Sequence, residues 1–308
     1  MLIDRNILEG KNILITGGAG YIGSSLCSKL KQIGSKITVI DNYFTGSYEN
    51  HVDGVNYIKA DTKDINNLDL NHNYDYIFHF GEYSRVEQSF EDIDKVFDYN
   101  HLSIYSILKF AHLCNAKIIY SGSSTKFGDD GDNAFASPYA WTKKTNSDLV
   151  RTYSKWNNLD HVIIYFYNVY GGREISNGKY ATVIGIFTRL YKNEAKELPV
   201  VLPGTQERNF THIDDIVNGI IIASIAGHGD GYGIGSDEEF SINDVVDMFG
   251  LKKKYLPERK GNRRTASLKT EKLKKLGWTP NKTLKNHINK MVQGKWVVIK
   301  EKKFGHLR

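Results

Sequence analysis

The segment of residues 11–41 constrains the fold more than any other part of this 308-residue chain. Residues 13–15 form a short apolar run, three glycines follow with the spacing G-x-x-G-x-x-G, and a second apolar run covers residues 37–40. Glycines in such a loop permit a tight turn after a strand, close approach of a phosphate, and close packing of a helix on the strand. The pattern predicts a strand, a loop, a helix and a second strand, with an anion held at the N-terminus of the helix.

This loop is predicted to bind a dinucleotide. Asp41 ends the second strand about 20 residues after the first, where a carboxylate can accept hydrogen bonds from the ribose hydroxyls of NAD. The same charge would repel the additional phosphate of NADP, so NAD is the predicted cofactor. The predicted cofactor contacts in this part of the chain are Gly17, Gly20, Tyr21, Ile22, Gly23, Asp41, Asn42 and Asp61. For Asp61, which follows the third strand, a simple turn-forming role is the open alternative.

Predicted strands and helices alternate up to about residue 168, as is typical of a doubly wound parallel sheet. The strands are predicted at 55–59, 74–80, 117–120 and 162–166, and the helices at 93–113 and 138–156. Beyond residue 168 we predict helices at 180–191, 213–225, 242–249, 269–276 and from 284, a strand at 200–202, and a glycine-rich connection at 227–235. The expected fold class is α/β: a Rossmann-like, NAD-binding parallel sheet over residues 1–168, and a smaller α+β substrate-binding lobe over most of 169–308. Some segments of the second half are expected to return to the first domain.

The composition excludes several classes of protein. Hydrophobic residues make up 40% of the chain and charged residues 25%, as in ordinary soluble globular proteins. The chain opens without a signal-peptide pattern and has no apolar run of membrane-spanning length, so a cytoplasmic protein with no membrane partner is expected. Cys27 and Cys114 lie in apolar helical patterns, which argues against a disulfide framework. The net charge of +6 is spread along the chain without a nucleic-acid-binding motif, so no nucleic-acid partner and no metal are predicted.

Tyr139 and Lys143 are the predicted catalytic pair. Their spacing places both on one face of a helix that Pro138 opens. Tyrosine is a poor base at its usual pKa of about 10, but a neighbouring ammonium stabilises the phenolate. The phenolate could then remove the proton of a sugar hydroxyl while hydride leaves the same carbon for NAD. Ser123, at the end of the fifth strand, could hydrogen-bond both the hydroxyl and the tyrosine oxygen. A Tyr-x-x-x-Lys pattern alone also fits an ordinary amphipathic helix surface.

The motifs together resemble the extended short-chain dehydrogenases/reductases that act on nucleotide sugars, in particular the UDP-hexose 4-epimerases. The resemblance covers nearly the whole chain and is carried by the segments 16–23 (TGGAGYIG), 41–42 (DN), 79–81 (HFG), 121–128 (SGSSTKFG), 137–143 (SPYAWTK), 167–171 (YNVYG), 208–215 (RNFTHIDD), 259–262 (RKGN) and 276–280 (LGWTP). Counting back from Gly128 places Ser123 in the catalytic serine position.

The resemblance also implies further site residues. Phe80, Gly81, Asn100, Tyr139 and Lys143 are expected at the cofactor, and Ser84, Asn168, Arg208 and Arg259 at the substrate. The relatives commonly dimerise through the helices that correspond to 93–113 and 138–156, so a homodimer is expected. Burial of those helices against the chain's own sheet would explain their apolar positions equally well.

Two departures from related enzymes narrow the expected reaction. The sugar 4,6-dehydratases of the family carry Asp and Glu after the catalytic hydroxyl, whereas this chain has Ser124 and Thr125. Neither can serve as the acid or base for loss of water, so 4-epimerisation of a nucleotide sugar by transient oxidation at C4 is favoured. A 4-dehydrogenase or 4-ketoreductase would use the same residues and remains the alternative. A non-catalytic NAD-responsive protein is disfavoured because Tyr139 and Lys143 are both present.

Three further positions leave alternatives open. Glu82 would either touch a substrate group or be a solvated loop charge, and Arg85 would either bind a phosphate or be solvated. Ala266 lies seven residues after Arg259, at a position whose bulk limits the sugar pocket of the epimerases. A small side chain there would admit a 2-acetamido sugar, although Ala266 could equally serve only in packing.

Overall fold

The computed structural model describes residues 4–127, 134–258 and 267–294. Its strands are β1 Asn12–Thr16, β2 Lys36–Asp41, β3 Asn56–Lys59, β4 Tyr76–His79, β5 Lys117–Ser123, β6 His161–Phe166, β7 Val169–Tyr170, β8 Glu197–Val201, β9 Glu207–Asn209, β10 Thr211–His212, β11 Gly229–Ile234, β12 Glu239–Ser241 and β13 Lys252–Leu256. Its helices are α1 Tyr21–Ile33, α2 Ile93–Val96, α3 Ser103–Cys114, α4 Pro138–Asn157, α5 Val183–Lys192, α6 Ile213–Ala226, α7 Ile242–Phe249, α8 Glu271–Lys275 and α9 Leu284–Val292.

A seven-stranded parallel sheet with the order β11-β6-β5-β4-β1-β2-β3 forms the centre of the molecule. Its strands are rich in β-branched and aromatic residues and are buried on both faces, as parallel sheets require. The strand order reverses between β1 and β4, and the carboxyl ends of these neighbours open a crevice where ligands of such sheets bind. The predicted doubly wound α/β fold is therefore confirmed.

Two apolar cores lie on opposite faces of this sheet. One contains Ile13, Leu26 and Trp278 and joins α1 to α6; the other contains Leu14 and Ile104. The first core thus includes residues from the second half of the chain, although the predicted domain boundary near residue 168 itself stays a prediction.

The smaller lobe has its own core and only short strand pairs. Tyr170, Phe187, Leu198 and Phe249 belong to that core. The pairs are β8 with β13 and β7 with β10, both parallel, and β9 with β12, which is antiparallel. Apart from β8 at 197–201, these strands were absent from the sequence prediction because two to five residues carry too little periodicity to be recognised.

The prediction of a glycine-rich connection at 227–235 was wrong. Residues 229–234 form β11, the edge strand of the main sheet beside β6. Its glycines create space: a Cβ on Gly233 would stand 2.1 Å from the Lys269 carbonyl oxygen, and one on Gly235 would stand 2.5 Å from Leu268 Cδ1. The glycine content therefore reflects the close approach of residues 268–269 to the strand rather than a flexible link.

The helix predicted at 93–113 is present, with an irregularity in its middle. A π-helical segment, Phe97–Leu102, separates α2 from α3. Such segments are rare and frequently lie at functional sites. Both cysteines are free, as expected. Within the described ranges, no helix combines the length and the hydropathy needed to span a bilayer.

Candidate active site

A cavity of about 710 Å³ opens at the carboxyl ends of the central strands, between the sheet and the smaller lobe. It collects nearly all of the predicted site residues that the structure describes. Those on its wall are Gly17, Gly20, Tyr21, Ile22, Gly23, Asp41, Asn42, Asp61, Phe80, Gly81, Ser84, Ser123, Tyr139, Lys143, Asn168 and Arg208. Arg259 and Ala266 lie outside the described residues.

The glycine loop forms one end of the cavity. Gly17 has φ +74°, and a Cβ there would stand 2.7 Å from the Gly81 nitrogen, so the turn requires glycine. A Cβ on Gly23 would stand 2.2 Å from the Gly17 carbonyl oxygen, which explains the close packing of α1 on β1. Gly20 is the N-cap of α1 and offers no side-chain cap to its first N–H groups. These donors at the cavity wall fit the pyrophosphate of a dinucleotide.

Asp41 lies at the same end, at the carboxyl terminus of β2. Its Oδ2 accepts a hydrogen bond from the Ala19 nitrogen at 2.9 Å and its Oδ1 accepts one from the Tyr43 nitrogen at 2.8 Å. Burial raises the pKa of this carboxyl, and the two backbone donors oppose the shift. A carboxylate has about four acceptor sites, so Asp41 keeps capacity for ribose hydroxyls. Asn42 Nδ2 donates to Asp61 Oδ1 at 2.5 Å, which holds Asp61 beside this group.

The predicted catalytic residues line the part of the cavity beside β5 and the start of α4, which we call its reaction end; the part around the glycine loop and Asp41 is called its cofactor end. Ser123 is the last residue of β5, and its Oγ lies 2.8 Å from Thr125 Oγ1. Helix α4 begins with Pro138 after the N-cap Ser137, whose hydroxyl accepts from the Ala140 nitrogen. This start places Tyr139 in the first turn of α4, on the cavity wall, with Lys143 one turn later.

Two buried acceptors hold the ammonium group of Lys143. Its Nζ donates to the Ser121 carbonyl oxygen at 2.7 Å and lies 2.5 Å from Glu82 Oε2. The side chains of Lys143 and Glu82 are 5% and 0% exposed. The interpretation of Glu82 as a solvated loop charge was therefore wrong, because its carboxylate is the buried counter-ion of the predicted catalytic lysine. Glu82 is among the residues of the cavity wall, and its contact with a substrate group stays a prediction.

Three further side chains surround the Glu82 carboxylate. Tyr120 Oη and Asn146 Nδ2 each donate to it at 3.0 Å, and His79 Nε2 lies 3.4 Å away. Burial raises the pKa of Glu82, but Lys143 and His79 outweigh burial, so the pKa lies below its usual value. Glu82 is thus ionised within a fully buried network.

Asn100 supports this network from the π-helical segment and is absent from the cavity wall. Its Oδ1 accepts from the Tyr83 nitrogen at 2.6 Å and its Nδ2 donates to Thr142 Oγ1 at 3.0 Å. Its backbone carbonyl accepts from Asn146 Nδ2 at 3.0 Å. The structure therefore gives Asn100 a supporting role, and the predicted cofactor contact stays a prediction.

One side of the cavity is closed by contacts between the two lobes. Arg85 donates through Nε and Nη2 to the Tyr180 carbonyl oxygen at 2.8 and 2.6 Å. The hydroxyls of Tyr180 and Tyr83 both donate to Asp92 Oδ2, at 2.8 and 2.9 Å. Burial raises the pKa of Asp92, but these hydrogen bonds and the nearby Lys179 ammonium bring it down to about 2. The guanidinium of Arg85 is thus engaged and partly buried, and it lies on the cavity wall.

An aromatic cluster extends this closure to the cofactor end. Phe44, which follows β2, has its ring centroid 5.1 Å from those of Tyr99 and Tyr180 and 5.7 Å from that of Tyr83. We call Phe44, Tyr83, Tyr99 and Tyr180 the aromatic clasp.

The predicted substrate residues line the part of the cavity that faces the smaller lobe. Asn168 follows β6, and its Nδ2 donates to the Asn209 carbonyl oxygen at 3.1 Å. Arg208 lies in β9 and donates to the Glu207 carbonyl oxygen at 2.7 Å. Ser84 is exposed and accepts from Arg85 Nη1 at 3.2 Å. These positions agree with a substrate bound between the lobes, while the contacts themselves stay predictions.

The chain matches the model of the NAD dependent epimerase/dehydratase family over residues 13–235. It is 28% identical over 301 residues to a putative UDP-glucose 4-epimerase of Methanocaldococcus jannaschii, a match that covers 91% of this chain and 97% of the relative. It is 30% identical over 254 residues to a UDP-N-acetyl-alpha-D-glucosaminuronate decarboxylase of Bacillus cytotoxicus, covering 77% and 78% of the two chains.

Solved structures show the same fold. A UDP-glucose 4-epimerase from Thermotoga maritima, solved with UDP-glucose, superposes with a TM-score of 0.82 at 25% identity, covering 92% of this chain and 97% of that one. The family match spans most of the chain and includes the glycine loop, the tyrosine–lysine pair and the crevice that they share. The chain therefore belongs to the NAD-dependent epimerase/dehydratase family of enzymes, and its cofactor is NAD.

Proposed function

We propose that the enzyme catalyses the 4-epimerisation of a nucleotide sugar. One observation carries this proposal. Ser123, Tyr139 and Lys143 all line the cavity, while the two residues after Ser123 are Ser124 and Thr125, which have no carboxyl group. The site therefore has the groups for reversible oxidation of an alcohol, but lacks at these positions the acid and base that elimination of water needs.

In the proposed reaction, bound NAD supplies a hydride acceptor that becomes a hydride donor. Tyr139 takes the proton from the C4 hydroxyl as hydride leaves C4. The 4-keto sugar then rotates so that its other face receives the hydride, and Tyr139 returns the proton to the C4 oxygen. Ser123 orients the C4 oxygen, and Lys143 stabilises the phenolate of Tyr139. No net oxidation occurs, so a resident cofactor suffices.

The aromatic clasp supports a resident cofactor. Phe44 follows the strand that ends in Asp41, and Tyr180 precedes α5 in the smaller lobe, so their contact joins the two lobes beside the cavity. Arg85 fastens the same loop through the Tyr180 carbonyl oxygen. We propose that these contacts cover a bound dinucleotide; a retained cofactor favours an epimerase over a 4-dehydrogenase or 4-ketoreductase that exchanges cofactor in every turnover.

The substrate is proposed to be a UDP-hexose or a UDP-N-acetylhexosamine. Asn168 and Arg208 line the cavity and are proposed to hold the diphosphate, with Arg259 as a second cation. Ala266 is proposed to leave space for an acetamido group at C2. The relative with UDP-glucose bound makes a UDP-sugar the first choice.

Decarboxylation of a nucleotide-linked uronic acid is the second candidate. Arg85 favours it, because a guanidinium on the wall of the cavity could bind the C6 carboxylate of such a substrate. The decarboxylase of Bacillus cytotoxicus among the relatives supports the same alternative. Against it, the guanidinium already donates to the Tyr180 carbonyl oxygen.

The test is incubation of the purified protein, without added cofactor, with UDP-glucose, UDP-GlcNAc or UDP-glucuronate, followed by NMR of the products. The proposal expects the galacto isomer of at least one sugar with no accumulation of NADH. Formation of carbon dioxide and a pentose product from UDP-glucuronate would instead show that the enzyme is a decarboxylase. A keto sugar that accumulates together with NADH would establish a dehydrogenase, and the Tyr139→Phe variant is the control in each case.

We also propose that the enzyme is a homodimer. The helical segments 93–114 and α4 expose Ile93, Tyr105, Leu113 and Trp156 to between 46% and 71%. Large exposed apolar side chains on these two helical segments are typical of an interface. The Tyr105→Glu variant is expected to elute as a monomer in size-exclusion chromatography. Ile7→Glu, which changes an exposed residue elsewhere, should elute like the wild type, and two identical profiles would overturn the proposed interface.

A further inference from the structure

The proposed reaction assigns no role to the buried carboxylate of Glu82. It lies 2.5 Å from Lys143 Nζ, and the structure shows no exposure of the Glu82 side chain. The pair is almost completely removed from water, because Lys143 itself is only 5% exposed. A buried ion pair is costly to form, and its retention beside a reaction centre calls for an explanation beyond stability.

The arrangement of donors and acceptors fixes the lysine. One N–H of Lys143 donates to the Ser121 carbonyl oxygen at 2.7 Å, and the Glu82 carboxylate takes a second. The ring of Tyr120 lies 5.2 Å from the same Nζ and contributes a weaker attraction for a cation. Glu82 is in turn held by the Tyr120 hydroxyl and by Asn146 Nδ2. The ammonium therefore has a defined position and a matched negative charge.

Burial without a counter-ion would favour the neutral amine of the lysine. A neutral amine cannot stabilise the phenolate that the proposed mechanism requires of Tyr139. We propose that Glu82 is a positioning residue that keeps the Lys143 ammonium charged and fixed beneath the reaction end of the cavity. The assignment rests on the proposed function for its catalytic consequence, but the charge state of Lys143 can be measured without any substrate.

Three titratable side chains in the described part of the chain face the Glu82 carboxylate. Glu82 faces His79 from β4, Tyr120 from β5 and Lys143 from α4. Tyr139, on α4, acts electrostatically on Tyr120. Among the groups that the structure places around Lys143, Glu82 supplies the negative charge.

The direct test is NMR titration of the protein labelled with ¹³C at lysine Cε, with the Lys143 signal assigned by its loss in Lys143→Met. In the wild type, the signal is expected to have the chemical shift of a charged lysine at neutral pH. In Glu82→Gln, which keeps the size and hydrogen-bonding capacity of the side chain, it should titrate at least about one pH unit lower. An unchanged titration in Glu82→Gln would overturn the proposal, as would a wild-type signal that is already neutral near pH 7.

The pH dependence of turnover is the second readout. In Glu82→Gln, easier loss of the lysine charge should move the alkaline limb of the pH–rate profile by at least about one pH unit toward lower pH. At a fixed pH on that limb, this shift corresponds to about a tenfold loss of kcat. Tyr120→Phe removes one hydrogen bond to Glu82 without changing the charge, so its profile should keep the wild-type limb. A uniform loss of kcat at every pH in Glu82→Gln would show a merely structural role.

Two further points keep the test decisive. Glu82→Asp keeps the negative charge on a shorter side chain, so its alkaline limb should lie close to that of the wild type. This variant tests the proposal even if Glu82→Gln folds poorly. If the wild type turns over none of the tested sugars, the NMR titration still decides the role of Glu82. Failure of the proposed reaction is thereby separated from failure of this inference.

Discussion

The two ends of the cavity are constructed by different physical means. The cofactor end consists of backbone and small residues: the turn at Gly17, the uncapped N-terminus of α1, and Asp41, whose carboxylate is held by two backbone N–H groups. The reaction end consists of large polar side chains, of which Glu82 and Lys143 form a buried ion pair.

This difference indicates what each end should tolerate. The cofactor end depends on space and on backbone donors, so an added methyl group should damage it even though no charge changes. The reaction end depends on proton positions and charge, so a substitution that preserves shape should damage it while the fold persists. The predictions below test this contrast, from the largest expected effect to the smallest.

Removal of the Tyr139 hydroxyl is expected to have the largest effect. Tyr139→Phe keeps the ring but removes the group that carries the proton, so kcat should fall by about 10²- to 10⁴-fold. Tyr153→Phe, on the same helix, is the matched control and should retain its activity. A Tyr139→Phe enzyme with more than about a tenth of the wild-type kcat would contradict the assignment of the base.

A methyl group at Gly23 should break the cofactor end. The new Cβ would stand 2.2 Å from the Gly17 carbonyl oxygen and 2.8 Å from the Gly18 Cα, so the backbone itself must move. We expect Gly23→Ala to lower the free energy of unfolding by about 1–3 kcal/mol and to abolish retention of NAD.

Gly20→Ala is the informative comparison for Gly23→Ala. Its Cβ would approach the Gly17 carbonyl oxygen only to 3.2 Å, which a small adjustment relieves. Chemical denaturation without cofactor should therefore show the smaller loss of stability for Gly20→Ala, whereas NAD binding should weaken in both variants. Equal losses of stability would contradict the view that Gly23 serves packing and Gly20 serves the phosphate.

The smallest expected effect concerns pH and the helix behind the cofactor end. His212 is the N-cap of α6, which packs against α1, and its Nδ1 accepts a hydrogen bond from the Asp214 nitrogen at 3.1 Å. Burial lowers the pKa of His212 to about 4, and that of His287, whose ring lies 5.7 Å away, also to about 4.

Because the folded pKa lies below the unfolded value of about 6.5, the native state binds fewer protons, and stability is lost as the pH falls from about 6.5 toward 4. His212→Asn retains a capping side chain without titrating. It should reduce the loss of unfolding free energy between pH 7 and pH 5 by roughly 2 kcal/mol. His228→Asn, at a side chain that is 70% exposed, should leave the pH dependence unchanged. This acid-side effect on the fold must be separated from any pH effect on the chemistry of Tyr139.

The sequence predicted the cofactor end well because its determinants are contiguous. The glycine spacing, the helix and Asp41 lie within 31 residues, and each expresses a local requirement of the backbone. The parallel sheet was equally accessible through the alternation of strands and helices. The same reasoning failed at β11, where glycines that make room for residues 268–269 resemble the glycines of a loop.

The reaction end was predicted only in part. Ser123, Tyr139 and Lys143 belong to short motifs, so their type and spacing could be recognised. Glu82 could not be interpreted, because its partners come from three other elements and its burial depends on how those elements pack. The sequence showed only that an acidic residue directly follows the glycine after β4. It did not indicate which side chain would form an ion pair with that residue.

Isotope retention at C4 is the measurement that tests the central claim most directly. The enzyme, without added cofactor, would be given the accepted UDP-sugar carrying deuterium at C4, and the isomer formed would be examined by NMR. The account predicts that the galacto isomer retains deuterium at C4, because the hydride leaves and returns without exchange with water. Replacement of that deuterium by solvent hydrogen, or an isomer inverted at another carbon, would contradict the account.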